Sequence, residues 1–279
     1  MLNHKNTPLI MGILNITPDS FSDGGQFLQP QQYLPKVESM VMEGSDIIDI
    51  GGESTRPGAK IISAQEEIDR VIPAIEAIKT QLDTPISIDT SKPEVMKLAI
   101  KAGAEMINDV CGLRVSQALE TAIEFAVPVC LMHMQGNPRT MQKRPSYDNV
   151  TKEVIAFLQD RVASCLSQGM KAENIILDPG FGFGKSVQDN LTLLKNLHTL
   201  CALGYPVLVG LSRKSMLGDI TGKMTENRLP ASISAALLAV QQGARIIRVH
   251  DVDETSDALK LLNAIQNLEQ SNKFPLKRE

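Results

Sequence analysis

The run Asn174-Ile175-Ile176-Leu177-Asp178-Pro179-Gly180-Phe181-Gly182-Phe183-Gly184-Lys185 decides how this chain is read. Asn174 to Leu177 is short and β-branched enough to be a buried strand, and Ser186-Val187-Gln188-Asp189-Asn190 beyond it reads as a helix start. Asp178 is therefore delivered at the carboxyl end of a strand, beside a loop whose glycines permit close backbone approach. That end of the strands is where α/β proteins place their chemistry. Two common phosphate loops are excluded: a Walker A loop needs Gly where Pro179 stands, and a dinucleotide fingerprint needs Gly where Lys185 stands. Taken alone, the run could equally be a glycine-rich turn in which Asp178 caps a helix.

Outward from this unit, similar apolar runs recur at Leu9–Ile16, Asp46–Gly51, Pro85–Asp89, Met106–Asp109, Val127–Met132, Pro206–Leu211 and Ala244–Val249. Helical patterns fall between them, at Gln65–Thr80, Pro93–Ala102, Thr151–Gln168, Asp189–Ala202, Ala231–Gln242 and Glu254–Asn267. Ser91-Lys92-Pro93-Glu94 is a recognisable helix start, with Pro early and an acid beside it. Eight such units predict an α/β fold, a single-domain (β/α)8 TIM barrel spanning residues 1–279 with its core at about 9–267. A doubly wound open sheet is the alternative.

The 279 residues are close to the ~250 typical of such a barrel. A net charge of −4 argues against a nucleic-acid or membrane surface. No apolar run approaches the ~18 residues of a membrane span, and Leu9–Leu14 lacks a cleavage site and reads as a first strand, not a signal segment. Cys111, Cys130, Cys165 and Cys201 have no metal-type spacing, which suggests inert thiols in a reducing cytoplasm. The tail from Ser271 to Glu279 reads as frayed.

Polar residues close nearly every run: Asn15, Asp49 with Glu53, Asp89, Asn108 with Asp109, His133, Asp178, Ser212 with Lys214, and Arg248 with His250. In a barrel all of them converge on one rim, and unused they would burden it with groups needing partners. If strand geometry persists, Ser212 and Lys214 share a face, as do Arg248 and His250. An Arg beside a His suits a phosphate-like anion, and a salt bridge from Arg248 to a rim carboxylate is the other reading. The segments Thr17–Pro30 and Gly52–Ser63 are too long for plain turns and read as lids.

In order along the chain, Asn15-Ile16-Thr17-Pro18-Asp19-Ser20-Phe21-Ser22-Asp23-Gly24-Gly25, Gly51-Gly52-Glu53-Ser54-Thr55-Arg56-Pro57-Gly58, Ser87-Ile88-Asp89-Thr90, Ile107-Asn108-Asp109, Met132-His133-Met134-Gln135-Gly136, Asp178 to Lys185, Ser212-Arg213-Lys214-Ser215 and Arg248-Val249-His250-Asp251 occur. Together they resemble the bacterial dihydropteroate synthases of folate biosynthesis. The resemblance implies a transferase that joins 6-hydroxymethyl-7,8-dihydropterin pyrophosphate to 4-aminobenzoate, with Mg2+, in a cytoplasmic homodimer that sulfonamide analogues inhibit by competition. It also implies roles: Asp89, Asn108, Asp178 and Lys214 for the pterin; Asn15, Thr55, Arg56, Arg248 and His250 for the pyrophosphate; and Arg56, Pro57, Phe183, Ser212 and Lys214 for aminobenzoate. Asn15 would meet the metal, and Asp89, Asp178, Lys214, Arg248, His250 and Arg56 would carry catalysis. Two rival readings are a folate-binding methyltransferase, which would need neither the Arg248–His250 clamp nor Arg56, and a non-catalytic pterin-binding paralogue.

Overall fold

The computed structural model describes residues 7–17, 30–54, 61–136, 141 and 145–267. Its strands are β1 Leu9–Asn15, β2 Ile47–Gly51, β3 Ile86–Asp89, β4 Met106–Asp109, β5 Val129–Met132, β6 Ile175–Asp178, β7 Leu208–Val209 and β8 Ile246–Val249, all paired in parallel. Their hydrogen-bonded order is β6-β5-β4-β3-β2-β1-β8-β7. A parallel bridge from Leu177 to Val207, with the Leu177 N–H donating to the Pro206 carbonyl at 2.9 Å, joins the two ends of that order. The sheet therefore closes into the expected (β/α)8 barrel, whereas an open doubly wound sheet would keep two edges.

The helices are α1 Pro30–Met42, α2 Ala64–Gln81, α3 Pro93–Ala102, α4 Ala118–Phe125, α5 Val150–Ser167, α6 Val187–Lys195, α7 Leu197–Cys201, α8 Ser215–Thr221, α9 Leu229–Gln241 and α10 Val252–Gln266. Helix α6 starts with a capping box between Ser186 and Asp189, and α3 starts with Pro93 after Lys92. The single helix expected over Asp189–Ala202 is two: the chain breaks at Asn196, whose Nδ2 donates to the Thr192 carbonyl at 2.9 Å. The expected strand Pro206–Leu211 is reduced to Leu208–Val209. Residues 18–29 and 55–60 of the two expected lids, and the tail from 268, lie outside the described residues.

Alternation along the strands positions the site. One cluster of buried side chains, Leu9, Met11, Ile47, Met106, Cys130, Ile176, Leu208 and Ile246, fills the barrel, while residues such as Ile10, Leu14, Ile48, Ile50, Ile107 and Ile247 pack outward with the helices. Two residues beyond Ile47, Met106, Ile176 and Ile246 stand Asp49, Asn108, Asp178 and Arg248. Successive inward positions are thus an apolar floor and then a polar layer above it.

Candidate active site at the carboxyl end of the barrel

Register brings the strand ends together: Asn15 pairs with Gly51, Gly51 with Asp89, and Asp89 with Asn108. A methyl group at Gly51 would lie 3.7 Å from Asp89 Oδ2 and 3.9 Å from Asn15 Oδ1, so these oxygens border one spot. One inward position earlier, Arg248 Nε donates to Asp49 Oδ2 at 2.5 Å, and its Nη2 donates to Asp89 Oδ2 at 2.8 Å. Asn108 Nδ2 donates to the same Asp49 oxygen at 3.0 Å. The salt-bridge reading of Arg248 thus describes the structure, with carboxylates from two different strands sharing the guanidinium.

Burial disfavours the charged guanidinium of Arg248, but Asp49 and Asp89 more than offset this and keep it cationic. Burial pushes the Asp89 carboxyl up; Arg248 pulls it down and Asp49 pushes it up again. Asp49 Oδ1 has no hydrogen-bond partner among the described residues. Losing one charge here would strand the others in a largely buried mouth, which costs more than losing an exposed ion pair.

Across the barrel, Asp178 Oδ1 accepts the Gly180 N–H at 2.7 Å. Burial raises the Asp178 carboxyl, while the Gly180 N–H, Lys214, Lys185 and Arg248 favour its ionised form. Gly180 has φ +68°, and a methyl group there would sit 1.9 Å from the His133 carbonyl oxygen, so the loop can follow this path only with glycine. The loop turns Phe183 so that Lys214 Nζ stands 4.3 Å from its ring centroid, within cation–π range. Burial and Arg248 push Lys214 down to about 8, against the pull of Asp178 and Asp89.

The side chains of Ser212 and His250 meet with Oγ 2.9 Å from Nδ1, while the His250 backbone N–H donates to Oγ at 3.2 Å. Ser212 thus engages Nδ1 of the ring, and the tautomer of His250 decides which of the two groups donates. Burial, Arg248 and Arg213 push His250 down to about 3, so it is a neutral imidazole at physiological pH and not a second cation beside Arg248. Strand parity does not place Ser212 and Lys214, because β7 ends at Val209. A turn does: Arg213 adopts φ +56°, its N–H donates to Ser232 Oγ at 2.9 Å, and its side chain pairs with Asp251. Lys214 is then the N-cap of α8.

Three rim residues leave the site. Glu53 turns outward to Lys92 at 2.6 Å, which also holds Glu67 at 2.5 Å, and Glu53 accepts the Ile62 N–H at 3.1 Å. Asp109 accepts from Ser91 Oγ and from the N–H groups of Cys111 and Leu113, so it caps its own loop. His133 Nδ1 lies 2.9 Å from Lys185 Nζ, with its ring edge-on to Phe157. Thr55, Arg56 and Pro57 lie outside the described residues. Two residues without an assigned role emerge, Asp49 and Lys185. Asp49 stood in the pattern of strand-end polar residues, and Lys185 ends the run that organises the chain.

Residues 11–250 match the pterin binding enzyme family. The chain is 56% identical over 262 residues to dihydropteroate synthase of Haemophilus influenzae, covering 94% of this chain and 95% of that one. The chain belongs to the dihydropteroate synthase family. Its fold matches the Yersinia pestis synthase in a sulfonamide drug complex with TM-score 0.90 and 44% identity, covering 96% of this chain and 98% of that one. It matches the Xanthomonas albilineans synthase with 4-aminobenzoic acid at TM-score 0.89 and 48% identity, covering 94% of each. The chain is thus a transferase of folate biosynthesis, forming 7,8-dihydropteroate and pyrophosphate.

Proposed function

We propose that the pterin of 6-hydroxymethyl-7,8-dihydropterin pyrophosphate lies in the barrel mouth against Asp89, Asn108, Asp178 and Lys214, and that 4-aminobenzoate lies against Phe183, Ser212 and Lys214. The observation that carries this allocation is geometric: Asp89 and Asn108 are register partners at adjoining strand ends, Arg248 reaches Asp89 at 2.8 Å, and Lys214 Nζ stands 4.3 Å from the centroid of the Phe183 ring. A buried carboxylate suits the donor-rich edge of an aminopyrimidine, and Asn108 can donate and accept beside it. Arg56 and Pro57 would complete the aminobenzoate side, and Thr55 and Arg56 the pyrophosphate side.

The pyrophosphate would meet the guanidinium N–H groups of Arg248 other than the two that serve Asp49 and Asp89. His250 would contribute its other ring nitrogen, Nε2, as a neutral hydrogen-bonding group. The amide oxygen of Asn15, a hard oxygen donor at the strand end, would hold Mg2+. When bound, it would stabilise the departing pyrophosphate charge. The C–O bond to pyrophosphate then breaks, the electron-rich dihydropterin stabilises the methylene cation, and the neutral aminobenzoate amine forms the C–N bond and loses a proton. No strong general base is required, because the attacking amine is already neutral.

A sulfonamide would compete at the aminobenzoate position. A cytoplasmic homodimer is supported by free cysteines and by exposed Leu238 on α9 and Leu261 and Ile265 on the adjoining α10. No helix among the described residues is long and apolar enough to cross a membrane. The test is pyrophosphate release from the pterin substrate, aminobenzoate and Mg2+, repeated without Mg2+ and with a sulfonamide. Release that is independent of the metal and unaffected by the sulfonamide would overturn these assignments; sedimentation tests the dimer.

A further inference from the structure

Lys185 ends the run around which the chain is organised, yet no step above uses it. It is 3% exposed, and its Nζ lies 2.9 Å from His133 Nδ1 while donating to the carbonyls of Gly180 at 2.8 Å and Phe183 at 3.1 Å. These partners belong to two loops, one after β5 and one after β6. The Phe183 N–H donates back to the Gly180 carbonyl at 3.1 Å, so Lys185 fastens a turn that is already closed. Asn190 Oδ1 takes the Gly182 N–H at 2.9 Å and the Tyr147 hydroxyl donates to the Gly184 carbonyl at 2.6 Å, but the Phe183 carbonyl is fastened by the lysine.

A loop with left-handed glycines on both sides of Phe183 has many alternative paths, and ordering it requires such ties. An apolar side chain could fill the same space without the cost of burying an amine, so the donors and not the bulk are the informative feature. Asp178 and Asp189 favour the charged form of Lys185, while burial and Lys214 oppose it. His133, facing it from the β5 loop, is held neutral by burial and by Lys185 itself.

We propose that Lys185 is a positioning residue of the aminobenzoate subsite: wedged between the loops after β5 and β6, it fixes the Phe183 carbonyl and so keeps the Phe183 ring over Lys214. This rests on placing aminobenzoate against Phe183 and Lys214. The test is steady-state kinetics of the full chain carrying Lys185→Met, Phe183→Leu or both, with Lys185→Gln as a variant that keeps an N–H donor.

Lys185→Met should raise KM for aminobenzoate about tenfold while KM for the pterin substrate stays within about twofold. In the Phe183→Leu background the same change should add less than about twofold, because the lysine acts through that ring. Lys185→Gln should fall between wild type and Lys185→Met. Equal effects on both substrates, or full additivity with Phe183→Leu, would overturn the proposal. If Phe183→Leu leaves KM for aminobenzoate unchanged, the subsite assignment fails and the proposal with it; if Phe183→Leu raises it and Lys185→Met does not, the positioning role alone falls. Failure of both lysine variants to melt cooperatively would make Lys185 a requirement of the fold and would likewise overturn the positioning role.

Discussion

The barrel mouth and the glycine loop after β6 hold their polar groups by opposite means. In the mouth, Asp49, Asp89, Asn108 and Arg248 hold one another, side chain to side chain, across strands β2, β3, β4 and β8. In the loop, Lys185, Asn190 and Tyr147 each hold backbone. A charge network fails as a unit, because removing one charge strands its buried partners. A loop with several backbone ties loses one tie at a time, unless the change strikes a glycine whose path allows no side chain.

The largest effect should come from Arg248→Met, which leaves Asp49 and Asp89 buried without their cation. We expect a loss of about 3–5 kcal/mol of stability together with turnover. Urea denaturation measures it, and a loss below about 1 kcal/mol would show that the carboxyls simply take up protons and that the mouth is no tighter a unit than the loop.

Two glycines sharpen the loop side. Gly180→Ala puts a methyl group 1.9 Å from the His133 carbonyl at φ +68° and should cost about 3 kcal/mol, whereas Gly204→Ala, at φ +84° with nothing within 4 Å, should cost only about 1 kcal/mol. Equal melting shifts in the two variants would mean that the loop yields by moving away from His133.

Asp178 stands between the two regions, since the Gly180 N–H holds one of its oxygens and the proposed pterin edge takes the carboxylate. Asp178→Asn sets a donor against a donor in a desolvated pocket and should weaken pterin binding by about 2–4 kcal/mol. Calorimetry that finds unchanged pterin affinity would remove Asp178 from the site.

At neutral pH the smallest effect is that of His133, which grows only as the solution is acidified. Burial and Lys185 push His133 from 6.5 down to about 3, so between those values the unfolded chain binds a proton that the folded chain does not. Stability should therefore fall as pH drops below 6.5, by about 1.4 kcal/mol per unit for this residue. His133→Asn should flatten the pH profile of unfolding in that window by this amount. An unchanged slope would show that His133 is protonated in the folded chain.

Much of this molecule was legible locally. Eight apolar runs with punctuation, the helix starts at Ser186 and Pro93, and the polar residues closing each run predicted a barrel with its chemistry at one end. Those signals are local because strand alternation and helix capping depend on neighbours a few residues away. The same reading placed Glu53, Asp109 and His133 at the rim beside Asp89 and Asp178, since by type and position they are equivalent.

Tertiary structure separated them by supplying partners. Lys92 takes Glu53, the N–H groups of Cys111 and Leu113 take Asp109, and Lys185 takes His133. It also decided that Arg248 shares Asp49 and Asp89, residues 199 and 159 positions away in the chain. An ion pair depends on the separation of charges and on how much water lies between them. The amino-acid order determined which charges this protein has and on which strand each one stands; only closure of the barrel, by setting distances across its mouth, determined which of them meet.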